Sequence, residues 1–129
     1  MITEIVNFKL PAGMTREEII SKYEQTVPKW RNNPDLIRKN YLIDLDRGIA
    51  GGVYLWKEKM HAEIWHGAEF RKKVKDNYGE EPTFQFFETP IVVDNLTGYI
   101  TKEWDLFIKK QIINILEALS IQSWNSSFF

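Results

Sequence analysis

A ferredoxin-like α+β domain of order β-α-β-β-α-β, an antiparallel sheet with both helices on one face, is the fold class that the 129-residue sequence predicts. Three observations carry it. The N-terminal stretch alternates with the two-residue period of a strand, a capping box opens a helix directly after it, and two further alternating stretches flank a turn ahead of a second helical segment.

Ile2, Val6, Phe8 and Leu10 fall at even positions of the first strand, with Thr3, Asn7 and Lys9 at odd ones, while Glu4 and Ile5 break the pattern. Pro11-Ala12-Gly13 ends it, and Thr15-Arg16-Glu17-Glu18 supplies the capping box. Tyr23, Val27 and Trp30 continue one apolar helix face; Pro28 predicts a kink or an early end, and Asn33-Pro34 closes the element. Leu36 to Leu45 alternates again, with Ile37, Tyr41, Ile43 and Leu45 on one face. Asp46-Arg47-Gly48 turns the chain, and Gly51 to Trp56 forms the return strand, whose paired glycines predict a bulge or a close backbone approach. Lys57 to Tyr78 reads as a helix in two pieces broken near Gly67, and Thr83 to Asp94 as a last strand with Pro90 at an edge or bulge.

This order leaves one apolar sheet face uncovered, which predicts a homodimer that buries it. Beyond Gly98, Trp104, Phe107, Ile108, Ile112, Ile115 and Leu119 mark an amphipathic helix of about five turns. A tail from Ser120 carries Trp124, Phe128 and Phe129 and is either docked on a partner or disordered. The domain is thus placed at residues 1–97, and the helix and tail, packing on it or on the partner subunit, at 98–129.

A net charge of −1 gives no basic footprint for nucleic acid. The absence of cysteine removes disulfides, thiol nucleophiles and cysteine-held metals. No signal peptide and no membrane-length apolar run can be read, so a soluble cytoplasmic protein is expected. The anomaly is aromatic: five Trp, five Tyr and eight Phe. Trp and Tyr carry polar tips that need partners, so their excess points to a lined pocket or an interface.

Familiar catalytic signatures are missing. There is no phosphate loop and no nucleophile elbow, and Asp44 to Gly48 is a turn without the closing ligand of a calcium loop. His61 and His66 lie about 140° apart around a helix and cannot clamp one metal. His61 reads as a surface residue. His66, beside Trp65 and just before the Gly67 break, is the histidine placed for a pocket role. Tyr41, Tyr54, Trp56, Phe84 and Phe86 sit where rings can stack across strands, Asn7 is a polar group on strand one, and Trp30 or Trp65 could cap the space. Such a cavity suits a flat aromatic ligand; the same rings could equally be helix-covered core and dimer seam.

The run Ala50-Gly51-Gly52-Val53-Tyr54-Leu55-Trp56, the helix with Ala62, Trp65 and His66, and the strand Phe86-Phe87-Glu88-Thr89-Pro90-Ile91-Val92-Val93-Asp94 resemble the YdhR-type monooxygenase family of the dimeric α+β barrel superfamily, over about residues 1–97. The resemblance implies a homodimer with facing sheets. It also implies oxidation of a phenolic or quinol substrate by molecular oxygen without bound flavin, haem or metal. His66 would be the base, with Asn7, Tyr54, Trp56 and Trp65 shaping the pocket. A non-catalytic small-molecule-binding or stress-associated dimer is the alternative, and a haem-binding member of the superfamily the third.

Overall fold

Strand β1 (Ile2–Lys9) lies inside a four-stranded antiparallel sheet, between β3 (Ile49–Trp56) and β4 (Thr83–Glu88), with β2 (Leu36–Asp44) outside β3, in the order β2-β3-β1-β4. The computed structural model describes the backbone of residues 1–127 and the side chains of residues 1–122. Two compact units divide the chain, Met1–Glu88 and Thr89 onward. The first has the predicted β-α-β-β-α-β order, with its second helix in two pieces.

Helix α1 (Arg16–Arg31) starts as the sequence dictates. The Thr15 hydroxyl accepts from Glu18 N at 3.2 Å, and the Glu18 carboxylate accepts from Thr15 N at 3.3 Å. Pro28 does not end it early. The helix runs to Arg31, and Asn32 N donates back to the Pro28 carbonyl, because proline lacks a donor and keeps its acceptor. Helices α2 (Lys59–Trp65) and α3 (Ala68–Tyr78) are separated at His66-Gly67, and Gly79, at φ 93°, ends α3 in the left-handed conformation.

Packing decides which sheet face is inner. Val6, Tyr54 and Trp56 cluster with Trp30 of α1 and Ala62 of α2, while Phe8 and Ala50 cluster with Val74 of α3. Even residues of β1, β3 and β4 therefore face the helices. On β2 the alternation is displaced by a bulge between Leu36 and Arg38, which puts Leu36 against the core and leaves Ile37 exposed. Leu45, expected to share a face with Tyr41 and Ile43, lies exposed in the turn. Register then stacks side chains in inner rows: Lys39, Tyr54, Glu4 and Phe86 form one, and Tyr41, Gly52, Val6 and Phe84 the next.

The expectation of one strand from Thr83 to Asp94 is corrected. β4 ends at Glu88, and after Thr89-Pro90 the chain forms a separate hairpin, β5 (Ile91–Asp94) with β6 (Tyr99–Lys102). Asp94 Oδ1 accepts from Leu96 N and Thr97 N, and Gly98 takes φ 78°; this turn chemistry makes a hairpin where a single strand was read. Helix α4 (Glu103–Ser127) follows, its backbone continuing past the expected end near Leu119. The fate of the tail side chains Trp124, Phe128 and Phe129 lies outside the described residues.

The paired glycines behave differently. A Cβ on Gly51, at φ 154°, would stand 1.8 Å from the Val6 carbonyl oxygen, whereas one on Gly52 would meet Tyr54 Cε2 at 3.1 Å, the Asn40 carbonyl oxygen at 3.2 Å and Lys39 Cε at 3.3 Å, distances that shifts of a few tenths of an ångström relieve. Gly51→Ala should cost about 3 kcal/mol or more and Gly52→Ala under about 1.5 kcal/mol in urea unfolding; equal losses would refute the close approach of β1 and β3 at Gly51.

Candidate functional site

The centre of the inner face carries a charge. Glu4, fully buried, is in phase with Val6 and Phe8 on β1. Its Oε1 accepts from Trp56 Nε1 at 3.0 Å and pairs with His66 Nδ1 at 2.5 Å. That pairing places the imidazole proton on Nδ1 and leaves Nε2 an acceptor, buried without a partner. Five rings surround His66: Phe70 at 4.1 Å between centroids, Tyr54 at 4.4 Å, and Trp30, Trp56 and Phe84 within 6 Å. Burial lowers the imidazole pKa, and the hydrogen bond and charge of Glu4 act in the opposite sense.

Beside this cluster, between the sheet and helices α1 and α3, lies a cavity of ≈ 190 Å³. Its origin is a missing side chain. Gly52 stands in the inner row between Tyr41 and Val6, so the middle of the sheet is low there, and Gly51, Gly52 and Val6 line the cavity with rings around them. Trp30 and Tyr23 enter from α1, Tyr41 from β2, Tyr54 from β3, and Phe70 and Tyr78 from α3. Tyr23 is fixed by backbone: its hydroxyl donates to the Leu42 carbonyl at 2.7 Å and accepts from Gly51 N at 3.0 Å. Thr26 Oγ1 and the Tyr41 hydroxyl share a 2.7 Å hydrogen bond.

One lysine belongs to this ring set. Lys39 Nζ lies 3.8 Å from the ring centre of Tyr41, 4.6 Å from Tyr54 and 4.7 Å from Trp30. Burial pushes its pKa down to about 7, and the nearby Lys29 charge adds to the shift. The tyrosines go the other way. Burial raises Tyr23, Tyr41, Tyr54 and Tyr78, and for Tyr54 the Glu4 charge adds to the rise. The cavity therefore offers phenolic donors that stay protonated and an amine able to take up a proton near neutral pH.

Of the residues singled out in the sequence, Tyr41 and Tyr54 line the cavity, as does Trp30. Trp56, fully buried, and His66 stand behind the wall, in contact with Tyr54. Phe84 is half-buried in the same core, 5.9 Å from His66 and beneath the Arg71 guanidinium. Trp65 packs on the core but sends its Nε1–H to Asp35 Oδ2 at 3.1 Å. Phe86 is 38% exposed at the outer end of its row, with Lys59 over its ring. Asn7 sits at an odd position of β1, so it faces away from the cavity. His61 Nε2 is 3.6 Å from Asp35 Oδ1 and does not line the cavity. Sequence reasoning missed Glu4 and Lys39, which share one signal: a charged residue at an apolar phase of a strand. Among the described residues no group of three or more metal-binding side chains forms a cation site, and no helix is long and apolar enough to cross a membrane.

Solved structures share this architecture. A monooxygenase of Streptomyces coelicolor, in complex with the ligand nanaomycin D, aligns with a TM-score of 0.55 at 17% identity, over 68% of this chain and 86% of its own. An antibiotic biosynthesis monooxygenase aligns at 0.54 and 14% identity, over 69% and 98%. What the chain shares with them is the fold. No family model matches the sequence, and no curated protein does.

The half-buried lysine has a consequence for stability. Unfolding returns Lys39 from about 7 to its ordinary 10.5, so between those values the unfolded chain holds one more proton and stability rises with pH. Below about 7 both states are protonated and the cost of the buried charge is complete. Lys39→Met should flatten this rise and stabilise the fold at about pH 6 by on the order of 2 kcal/mol. Urea midpoints at about pH 6 and pH 9 check it; an unchanged slope would refute a desolvated Lys39.

Proposed function

We propose that this protein oxidises a small phenolic or quinol compound with molecular oxygen, as a cofactor-independent monooxygenase of the YdhR-type branch of the dimeric α+β barrels. The observation that carries the reading is the ring-walled cavity with an ionisable amine inside it. An apolar cavity of about 150 Å³ accepts benzene, so ≈ 190 Å³ suits a substituted ring or a compact bicycle. The two monooxygenases of like fold support the same class of chemistry.

The reaction balances with oxygen alone. A phenol loses its hydroxyl proton, the electron-rich phenolate reduces O₂, one oxygen atom ends on a ring carbon as a quinone carbonyl, and the other leaves as water with the two displaced hydrogens. The protein has to ionise the substrate, hold its ring flat against others and exclude water. His66 serves this from behind the wall. Held by Glu4 and in edge contact with Tyr54, it is a positioning residue for that ring. Trp56 and Trp65 buttress the same core, and Phe84 and Phe86 flank its outer end. Asn7 belongs with Ile5, Leu42, Val53 and Phe87 on the second sheet face, which a second copy of the chain would cover.

Oxygen consumption with a panel of hydroquinones and naphthols should show one O₂ per quinone formed, unaffected by chelator. Tyr54→Leu should lower kcat/KM about tenfold or more, and His66→Ala should lower it with altered KM. A bound aromatic ligand with no oxygen uptake across the panel would replace the enzyme by a binding protein. Light scattering at micromolar concentration should give the dimer mass, and Leu42→Glu should shift it to the monomer; a monomeric wild type would remove the facing-sheet dimer.

A further inference from the structure

We propose that Lys39 is the base that receives the substrate's proton, and that the cavity selects aromatic acids, binding them as anions on the Lys39 ammonium. The proposal deepens the oxidative reading and rests on this cavity being the substrate site.

The charge inventory argues for an anion. Lys22, Lys29, Lys39 and Lys73 line the cavity, and no Asp or Glu does. Two of them are engaged elsewhere: Lys73 Nζ is 3.3 Å from Glu69 Oε1, and Lys22 Nζ donates to Asn77 Oδ1 at 3.4 Å. Lys29 touches one cavity ring, Trp30, at 4.9 Å. Lys39 alone is held among three rings, and no carboxylate of the described residues pairs with it. Ring faces stabilise a cation but offer its N–H groups no lone pair directed along a hydrogen bond. A phenolate oxygen supplies that acceptor while its ring stacks on the same walls.

Position on the sheet explains why Glu4 does not fill this role. Lys39 and Glu4 occupy one inner row with Tyr54 between them. The Glu4 oxygen that is engaged faces Trp56 and His66, so the acid is committed on the far side of Tyr54. The step is a simple transfer: the substrate O–H bond breaks, its electron pair stays on oxygen, and the proton joins Lys39 Nζ. A desolvated amine near neutrality is matched to that task. The other groups facing Lys39 do not compete for the proton. Tyr23 from α1, Tyr41 from β2, Tyr54 from β3 and Tyr78 from α3 are raised by burial, Lys29 is lowered by burial and by the Lys73 charge but less deeply placed than Lys39, and His66 is lowered chiefly by burial and in part by Lys39 itself.

The test uses para-nitrophenol, whose visible absorption reports its ionisation and whose electron-poor ring resists oxidation, and para-nitroanisole, which has no proton to give. With the intact protein, bound nitrophenol should ionise at least about one pH unit below the free compound and bind about tenfold or more tighter than nitroanisole. Lys39→Met should abolish both differences. Lys39→Arg, which keeps the charge and cannot take up a proton, should retain phenolate binding and lose oxygen uptake with hydroquinones. Equal binding of the two probes, or a Lys39→Met protein that ionises nitrophenol as wild type does, would overturn the proposal. Absent oxygen uptake in wild type would remove the oxygenase reading and leave the nitrophenol result standing.

Discussion

A carboxylate at the centre of the sheet constrains everything built above it. Glu4 has no solvent exposure, and an ion taken out of water costs several kcal/mol unless donors replace the lost hydration. Two donors meet its Oε1, the indole N–H of Trp56 and the imidazole Nδ1–H of His66, while Oε2 is buried without a partner among the described residues. Each donor then has its orientation fixed. Trp56 lies flat beside Tyr54, ring planes 4° apart, and His66 stands edge-on to both. Because His66 is also the residue at which α2 stops, the same interaction anchors the α2–α3 junction to the sheet and brings Phe70 of α3 to the cavity wall. Strand, helix break and pocket are thus referred to one oxygen atom.

The cavity needs a second condition, a missing side chain within the row of large ones. Gly52 provides it, and Gly51 provides the backbone approach that lets β1 and β3 close around it. Tyr23 ties helix to sheet at this place, since Gly51 N donates to its hydroxyl. The hydroxyl is therefore structural, and burial raising its pKa keeps the O–H intact as the donor to Leu42.

Much of this was legible in the sequence, and what was not has a definite cause. The Thr15–Glu18 box, the hairpin turn at Gly48 and the glycine pair follow from local chemistry, and each stands where the pattern puts it. The segment after Glu88 was misread because Phe-rich and β-branched residues continue across Thr89-Pro90; composition persists where the ladder stops. Of the rings proposed for the site, Tyr41 and Tyr54 reach the cavity, since strand phase fixes a face but not how far along it a helix leaves a gap. Glu4 looked like a break in the alternation, although its position has the same parity as Val6 and Phe8. Lys39 has the parity of Tyr41 and Ile43. An unbroken period with a charge in an apolar slot is a local inconsistency, and such inconsistencies concentrate where function has been placed.

Those two exceptions set the electrostatics of the site together. Across one row of the sheet the order is Lys39, Tyr54, Glu4. The Glu4 charge helps hold the Tyr54 proton in place, and burial weakens the hold of Lys39 on its own. A phenol that keeps its proton and an amine that readily gives one up therefore sit on neighbouring strands facing the same space. Groups driven apart in this way take the donor and acceptor roles of acid–base chemistry. Had Glu4 paired directly with Lys39, each charge would have stabilised the other and the amine would have stayed protonated. Committing the carboxylate to Trp56 and His66 leaves the lysine without a carboxylate partner among the described residues, its amine facing the cavity.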